Sequence, residues 1–361
     1  MSKSNIRREP RHNASKPAAH PKASFRFGDR IGEYVINGFA GVGATSYVYR
    51  GRHETSFEPV AIKVLHPHLL SDDIKRTRFI REAQMMMDFD HPNVVSFHRI
   101  LDDGENLAFV MQFIRGVTLE EWLEENKGIA TQTEVLAIFV DLLRGLNHAH
   151  RCGIIHRDLK PANILISKES EDDRFRATII DFGVARFADL PIPAEDRKKI
   201  VGTAAYISPE EVKDPESVCE ASDIYSIGVM LYEAICGVRP FEGLGVRELM
   251  KAHVNVSPTR PSKVNPSLSP RLEGVIMKTL EKAPSQRFQN VTDLIHAIEC
   301  ATRNEPLAPF KSRTAEWDRT TTKMASPSGF FSQALAMASS IFSKKTSSPV
   351  IEKVNDFLPL R

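Results

Sequence analysis

A short stretch in the middle of the chain combines the residue types that phosphoryl transfer requires. Residues 156–163 read His-Arg-Asp-Leu-Lys-Pro-Ala-Asn, and an Asp-Phe-Gly motif begins at Asp181. Such a transfer needs oxygen ligands for a metal ion, a group that accepts a hydroxyl proton, and cations that offset the developing charge. Asp158, Lys160, Asn163 and Asp181 include all three kinds of group.

A glycine-rich turn lies upstream, between two predicted strands. Residues 41–48 read Gly-Val-Gly-Ala-Thr-Ser-Tyr-Val. Glycines let backbone N–H groups approach phosphate oxygens, although a G-x-G turn alone more often indicates only a hairpin. Lys63 follows in Val-Ala-Ile-Lys, at an inward-facing strand position where a lysine needs an anionic partner. Glu82, on the next predicted helix, is the candidate partner.

The surrounding pattern predicts the elements that position these residues. β-rich runs separated by Gly-rich turns between Tyr34 and Leu65 predict antiparallel strands, and residues 73–88 then turn helical. A long helix is predicted from Glu134 to His150, because apolar residues recur there every three or four positions. The C-terminal half is mostly helical by the same test. The core-facing residues of the long helix are Val135, Ile138, Phe139, Leu142, Leu143 and Leu146.

Composition excludes several classes of protein. The four cysteines among 361 residues form no C-x-x-C pair, which argues against a disulfide framework or a zinc ribbon and favours a reducing compartment. We expect a cytoplasmic protein, because the sequence has neither a signal-peptide pattern nor an apolar run long enough to span a membrane. The net charge is +2, but it is concentrated in two basic tails around an acidic body, so no nucleic-acid partner is expected.

Taken in order, these motifs make the chain resemble the eukaryotic-type serine/threonine protein kinases, most closely the bacterial members. The resemblance covers roughly residues 30–301. It implies an α+β, bilobal protein-kinase fold, with a small antiparallel β-sheet lobe at about 30–114 and a larger, mainly helical lobe at about 115–301. ATP is expected to bind between the lobes, with Mg²⁺ as the metal and Mn²⁺ as an alternative.

The resemblance also implies a role for each motif residue. Asp158 would accept or orient the hydroxyl proton, Lys160 would steady the γ-phosphate, and Lys63 would hold the α- and β-phosphates while paired with Glu82. The metal ligands would be Asn163 and Asp181, since Mg²⁺ prefers oxygen ligands. Met111 would be the gatekeeper. The implied ATP-binding residues are Gly41, Val42, Gly43, Ala44, Thr45, Ser46, Val48, Ala61, Lys63, Met111, Gln112 and Ile114, and the implied structural residues are Thr203, Glu210, Asp223 and Arg287.

Three features depart from the family pattern. Ser46 stands where a third glycine is expected, and a small residue there still permits phosphate to approach. An extra charged stretch from Lys168 to Arg176 predicts a longer loop in solvent. The segment between Asp181 and Pro209 has no hydroxyl residue before residue 202, so the usual phosphate acceptor is missing. Either Glu195 or Asp196 replaces the phosphate by pairing with Arg157, or the two acids only solvate a loop.

The regions outside residues 27–301 are predicted to be tails. Residues 1–26 indicate a disordered basic tail, and residues 302–361 a Ser/Thr-rich tail with an amphipathic segment at about 329–343. That segment would dock on the kinase domain or on a partner, and peripheral contact with a membrane is the alternative.

The predicted function is transfer of the γ-phosphate of ATP to Ser/Thr hydroxyls of protein substrates in signalling, with autophosphorylation as an additional activity. Lys160 is the serine/threonine form of its loop. Residues 202–210 resemble a substrate-docking loop that small-molecule kinases usually lack. The alternative is a kinase-fold scaffold or pseudokinase that recruits partners through its tails, although such a module needs no complete set of catalytic residues.

Overall fold

The computed structural model describes residues 25–87, 89–128, 130–168, 174–182 and 204–303. The N-terminal part is an antiparallel sheet of six strands, which are β1 (Arg30–Ile31), β2 (Tyr34–Val42), β3 (Ser46–His53), β4 (Pro59–Leu65), β5 (Phe97–Asp102) and β6 (Leu107–Gln112). Their order in the sheet is β1-β2-β3-β4-β6-β5. One helix, α1 (Asp73–Met86), packs on it.

Strand β4 divides its side chains between two separate apolar clusters. Ala61 and Leu65 belong to the main core, which continues into the helical part of the molecule. Val60, Ile62 and Val64 point the other way and pack with Tyr47 and Tyr49 in a smaller cluster, here called the outer-face cluster. This alternation follows from the two-residue period of a strand, so β4 has one face toward each cluster.

The C-terminal part is mainly helical, with a small sheet at its upper edge. Its strands are β7 (Val117–Thr118), β8 (Ile164–Lys168) and β9 (Phe175–Ile179). They lie in the order β7-β8-β9, and both pairs are antiparallel. The helices are α2 (Leu119–Glu125), α3 (Gln132–Arg151), α4 (Pro209–Lys213), α5 (Glu220–Cys236), α6 (Val246–Asn255), α7 (Pro261–Val264), α8 (Pro270–Thr279) and α9 (Val291–Arg303).

Local sequence sets where the first two of these helices begin. The side chains of Thr118 and Thr131 each accept a hydrogen bond from the backbone N–H three residues later, and the carboxylates of Glu121 and Glu134 accept one from the backbone N–H of the cap residue. Such capping boxes satisfy N–H groups that a helix start leaves without partners. The apolar stripe predicted between Glu134 and His150 is fully buried in α3, so that prediction is confirmed.

The segment between α1 and β5 is bonded to the helical part rather than only to the sheet. Val95 N–H donates to Ile179 O at 2.9 Å, Ile179 N–H donates to Asn93 O at 2.9 Å, and the Asn93 side chain donates to Ala177 O at 2.8 Å. On the other side, a Cβ on Gly145 would lie 2.6 Å from Asn93 O. Glycine is therefore required at this point of α3 for the segment to pack against the helix.

Another close approach, between α5 and α8, predicts opposite effects for two glycines. A Cβ on Gly228 would lie 2.1 Å from Thr279 Oγ1, so Gly228→Ala should lower the free energy of unfolding by about 1–3 kcal/mol. A Cβ on Gly274 in α8 would have no described atom within 4 Å, so Gly274→Ala should raise that free energy by about 0.5–1 kcal/mol. Urea titrations of both variants test this, and equal changes would contradict the close approach.

The observed elements confirm the predicted fold class of a small antiparallel sheet lobe plus a larger helical lobe. The two predicted tails, with the amphipathic segment at 329–343, lie almost entirely outside the described residues, and the domain limits stay predictions. Among the helices that the structure describes, none has the length and apolarity needed to cross a bilayer.

Candidate active site

Strand register brings four of the predicted ATP-binding residues onto one face of the sheet. Val48 pairs with Lys63 between β3 and β4, and Ala61 pairs with Met111 between β4 and β6. Ala61 and Lys63 are two residues apart and therefore share a face. Met111 is buried in the main core, Gln112 ends β6 with an exposed side chain, and Ile114 follows in the link between the lobes.

The glycine-rich turn is the hairpin that joins β2 to β3. Gly43 N–H donates to Ser46 O at 2.7 Å, and this bond closes the turn around Ala44 and Thr45. Among the described atoms, none lies within 4 Å of a Cβ position on Gly41, so the space beside the loop is open. Ser46, at the position of the expected third glycine, is buried. Val42 is exposed beside the turn.

Lys63 contacts its predicted partner Glu82 and, in addition, Asp181. Its Nζ lies 2.6 Å from Glu82 Oε1 on α1 and 3.0 Å from Asp181 Oδ2. Burial alone would lower the pKa of Lys63, but the two carboxylates outweigh it and raise that pKa. Burial raises the pKa of Glu82 to about 7, and the neighbouring Asp181 carboxylate acts in the same direction while Lys63 opposes both. Lysine and both acids thus form one compact ionic cluster.

The catalytic-loop residues converge on one carboxylate. Lys160 Nζ donates to Asp158 Oδ2 at 2.6 Å, and Asn163 Nδ2 donates to the same oxygen at 3.1 Å and to Asp158 O at 2.8 Å. Asp158 and Lys160 keep 22% and 25% of their side chains exposed, so both groups are within reach of a substrate. This geometry suits a carboxylate that receives a proton while an ammonium group stands beside it.

The donor set near Asp181 fits a hard divalent cation. Ile180 N–H donates to Asn163 O at 3.0 Å, and this bond brings the residue before Asp181 against Asn163. Asp181 Oδ1 is buried and has no hydrogen-bond partner among the described residues, although its pKa is held down by Lys63 against the effect of burial. Amide and carboxylate oxygens are ligands that Mg²⁺ accepts, so the two residues present fit such an ion.

Phe182, the residue after Asp181, holds that aspartate in place by packing in the core. Its ring is fully buried, 4.6 Å from the Phe89 ring and 4.8 Å from the His156 ring between centroids. Phe89 follows α1, and His156 begins the catalytic loop. Because one ring packs on both, the position of Asp181 depends on the two lobes together.

Asp223 on α5 holds the catalytic loop in an uncommon backbone conformation. Its carboxylate accepts hydrogen bonds from His156 N–H and Arg157 N–H, each at 2.9 Å, and contacts His150 Nε2 at 2.7 Å. Arg157 has a φ of 64°, in the left-handed region that non-glycine residues rarely adopt. Two N–H groups bonded to one buried carboxylate stabilise this turn, which presents Asp158 to the cleft.

Glu210 and Arg287 form a buried ion pair below the cleft. Arg287 Nη1 and Nη2 contact the two Glu210 carboxylate oxygens at 2.7 Å each, and Ser222 Oγ donates to Glu210 at 2.6 Å. Arg287 is 2% exposed. Burial would raise the pKa of Glu210, but the hydrogen bonds and charge of Arg287 hold it below its ordinary value. The pair fixes the start of α4 to α5.

Some predicted site residues lie outside the described part of the chain, and some contacts in the structure were not predicted. Thr203, Glu195 and Asp196 lie outside the described residues. Sequence reasoning missed the bond from His150 to Asp223 and the contact of His66 with the glycine-rich turn. For His66, strand alternation from Lys63 indicates only the face opposite the lysine and does not identify the carbonyl oxygen that it contacts.

Comparison with known proteins matches this geometry to one family. The protein kinase domain model matches residues 34–297. Serine/threonine-protein kinase PknB of Mycolicibacterium smegmatis is 35% identical over 269 residues, which are 72% of this chain and 41% of PknB. A probable serine/threonine-protein kinase of Clostridium perfringens is 31% identical over 294 residues, 81% of this chain and 42% of that protein. The chain thus spans about two-fifths of the length of these curated relatives.

Solved structures agree with the sequence matches. The crystal structure of the Mycobacterium tuberculosis PknI kinase domain is 25% identical, with a TM-score of 0.59, and covers 77% of this chain and 100% of the PknI domain. Lys63, Glu82, Asp158, Asn163 and Asp181 all lie in the matched interval of the family model. With its sheet lobe, its helical lobe and the cleft residues between them, the chain belongs to the protein kinase domain family.

Proposed function

We propose that this chain is a serine/threonine protein kinase that transfers the γ-phosphate of ATP to Ser/Thr hydroxyls of proteins with the aid of Mg²⁺. The observation that carries the proposal is the assembled cleft, in which Lys63 bridges Glu82 and Asp181 while Lys160 and Asn163 contact Asp158. Members of this family use ATP and a divalent metal ion.

On the nucleotide side, the sheet supplies the binding groups. Val48, Ala61 and Met111 would contact the adenine on one face of the sheet, and the backbone from Gln112 to Ile114 would meet its edge. The Lys63 ammonium group would hold the α- and β-phosphates, because Glu82 orients it toward the cleft. Asn163 and Asp181 would hold the metal ion, which when bound offsets the charge of the phosphate oxygens.

On the acceptor side, Asp158 carries the proton chemistry. A substrate hydroxyl bonded to the Asp158 carboxylate would attack the γ-phosphorus as the bond to the β-phosphate bridging oxygen breaks and ADP leaves. The hydroxyl proton passes to Asp158 and then to solvent. Lys160, 2.6 Å from Asp158 Oδ2, would offset charge on the transferred group at the same moment.

Protein substrates are part of the same proposal. Residues 204–208 lead into α4, and Ser226 Oγ on α5 donates to Tyr206 O at 2.7 Å. Asp223 on the same helix bonds to the catalytic loop, which supports a docking surface for a peptide near that loop. The C-terminal tail would dock on the kinase domain or on a partner, and peripheral contact with a membrane is the alternative.

The test is transfer of labelled phosphate from ATP to casein by the full chain, followed by phosphoamino-acid analysis. We expect phosphoserine and phosphothreonine in the presence of Mg²⁺, a fall to background when EDTA removes the metal, and recovery when Mg²⁺ or Mn²⁺ is added back. Transfer that persists in EDTA would contradict the metal assignment. ATP binding without transfer to any protein, under every metal, would instead favour the scaffold function.

A further inference from the structure

His66 is the residue outside the predicted set that contacts the nucleotide-binding loop most directly. It follows β4 by one residue, and its backbone N–H donates to Thr45 O at 2.8 Å. Its side-chain Nε2 lies 3.1 Å from Gly43 O. Because a carbonyl oxygen can only accept, the imidazole must carry its proton on Nε2 and donate it to Gly43.

The imidazole is held firmly in this position. His66 is 7% exposed, and its ring packs edge-on against the Tyr47 ring with 4.2 Å between centroids. Tyr47 belongs to the outer-face cluster with Val60, Ile62 and Val64, so His66 continues the same alternation along β4. The side chain therefore lies on the face of the sheet opposite Lys63 and the cleft.

The position of His66 affects the cleft through the planar geometry of the peptide units that it contacts. Gly43 O and Ala44 N–H belong to one planar trans peptide, in which the C=O and N–H bonds point in opposite directions. His66 bonds to Gly43 O through its side chain and to Thr45 O through its backbone N–H, so it fixes both the Gly43–Ala44 and the Thr45–Ser46 peptide planes of the turn. Gly43 N–H is already bonded to Ser46 O at 2.7 Å, so both polar groups of Gly43 are held.

We propose that His66 is a positioning residue for ATP phosphate binding, which holds the Gly43–Ala44 peptide in the orientation in which the turn receives the phosphates. This inference rests on the proposed function for its nucleotide, and it deepens that function by adding an anchor outside the cleft.

The test compares nucleotides that differ only in phosphates. Calorimetry on the full chain should show ADP binding to His66→Phe about 2- to 10-fold more weakly than to the unchanged protein, because the Gly43–Ala44 peptide loses the hydrogen bond that holds it. Adenosine should bind both equally. Phe keeps a ring against Tyr47 but cannot donate, whereas His66→Gln keeps an N–H donor and should recover most of the ADP affinity.

His68 offers the matched control. It is exposed and stacks on His66 with 5.5 Å between centroids, and His68→Ala should leave ADP affinity unchanged. In steady-state kinetics, His66→Phe should raise KM for ATP by the same factor with little change in kcat. Equal ADP affinity for His66→Phe, or equal weakening of ADP and adenosine, would overturn the inference.

Failure of the proposed function would look different. If the unchanged chain binds ADP but transfers no phosphate, the kinase activity is wrong, while a selective loss of ADP affinity in His66→Phe still supports the anchor. If the unchanged chain binds neither ADP nor adenosine, both proposals fail together.

Discussion

Asp158→Asn is expected to reduce kcat for phosphoryl transfer by about 10²- to 10⁴-fold, the usual contribution of a positioned general base. The amide cannot take up the hydroxyl proton that the carboxylate accepts. Its oxygen can still accept the hydrogen bond from Lys160, which lies 2.6 Å from Asp158 Oδ2 in the unchanged protein. We therefore expect the loop to keep its shape and ATP affinity to stay close to that of the unchanged chain.

The measurement is a steady-state rate with casein, paired with calorimetry for ATP. Asp73→Asn is a suitable control, because this exposed carboxylate in the first turn of α1 undergoes the same chemical change away from the reacting groups. A variant at Asp158 that keeps a tenth or more of the unchanged rate would exclude the proposed proton acceptor. Loss of ATP binding in the same variant would point to a structural role instead.

Arg287→Ala is expected to lower the free energy of unfolding by about 3–5 kcal/mol, the cost of leaving a buried charge without its partner. Removing the guanidinium deprives Glu210 of two contacts at 2.7 Å. It also removes donors to the carbonyl oxygens of Ala221, Glu281 and Lys282. A loss of this size is a large part of the stability of an ordinary domain.

Urea unfolding followed by circular dichroism measures this effect. Arg30→Ala is the matched control, because Arg30 also binds both carboxylate oxygens of one glutamate, Glu54, at 2.6 and 2.9 Å, while 61% and 39% of the two side chains are exposed; such a pair contributes about 0–1 kcal/mol. Replacing both members of the buried pair, by Glu210→Leu with Arg287→Met, should recover the part of the loss that comes from the unpaired Glu210 carboxylate. Equal destabilisation by Arg30→Ala and Arg287→Ala would contradict the role of burial.

Sequence reasoning reached the cleft residues because their chemistry restricts residue type. A lysine in an inward strand position needs a carboxylate, and the structure places Lys63 against Glu82 and Asp181. The buried stripe of α3 could be predicted equally well, because its apolar residues recur at helical spacing. In both cases the signal lies in neighbouring residues of one element.

Contacts of side chains with backbone carbonyl oxygens leave no pattern in the sequence that would predict them. The bonds of Asn93 to Ala177 O and of His66 to Gly43 O depend on where two remote segments meet, and any carbonyl would serve equally well as the acceptor. The same holds for Gly145 and Gly228, whose need for a bare Cα arises only once α3 meets Asn93 and α5 meets Thr279. Tertiary packing determines these positions, and local preference does not.

The bonds around Val95 have a consequence for motion between the lobes. Val95 is bonded to Ile179 in the small sheet, whereas the next residue, Ser96, accepts a hydrogen bond from Gln112 N–H in the large one. The chain also crosses between α1 and residue 91, and again in the link 113–116, after which Val117 pairs with Ile166. A rotation that opens the cleft would therefore bend the backbone at three places, and residues 91–95 would travel with the helical lobe.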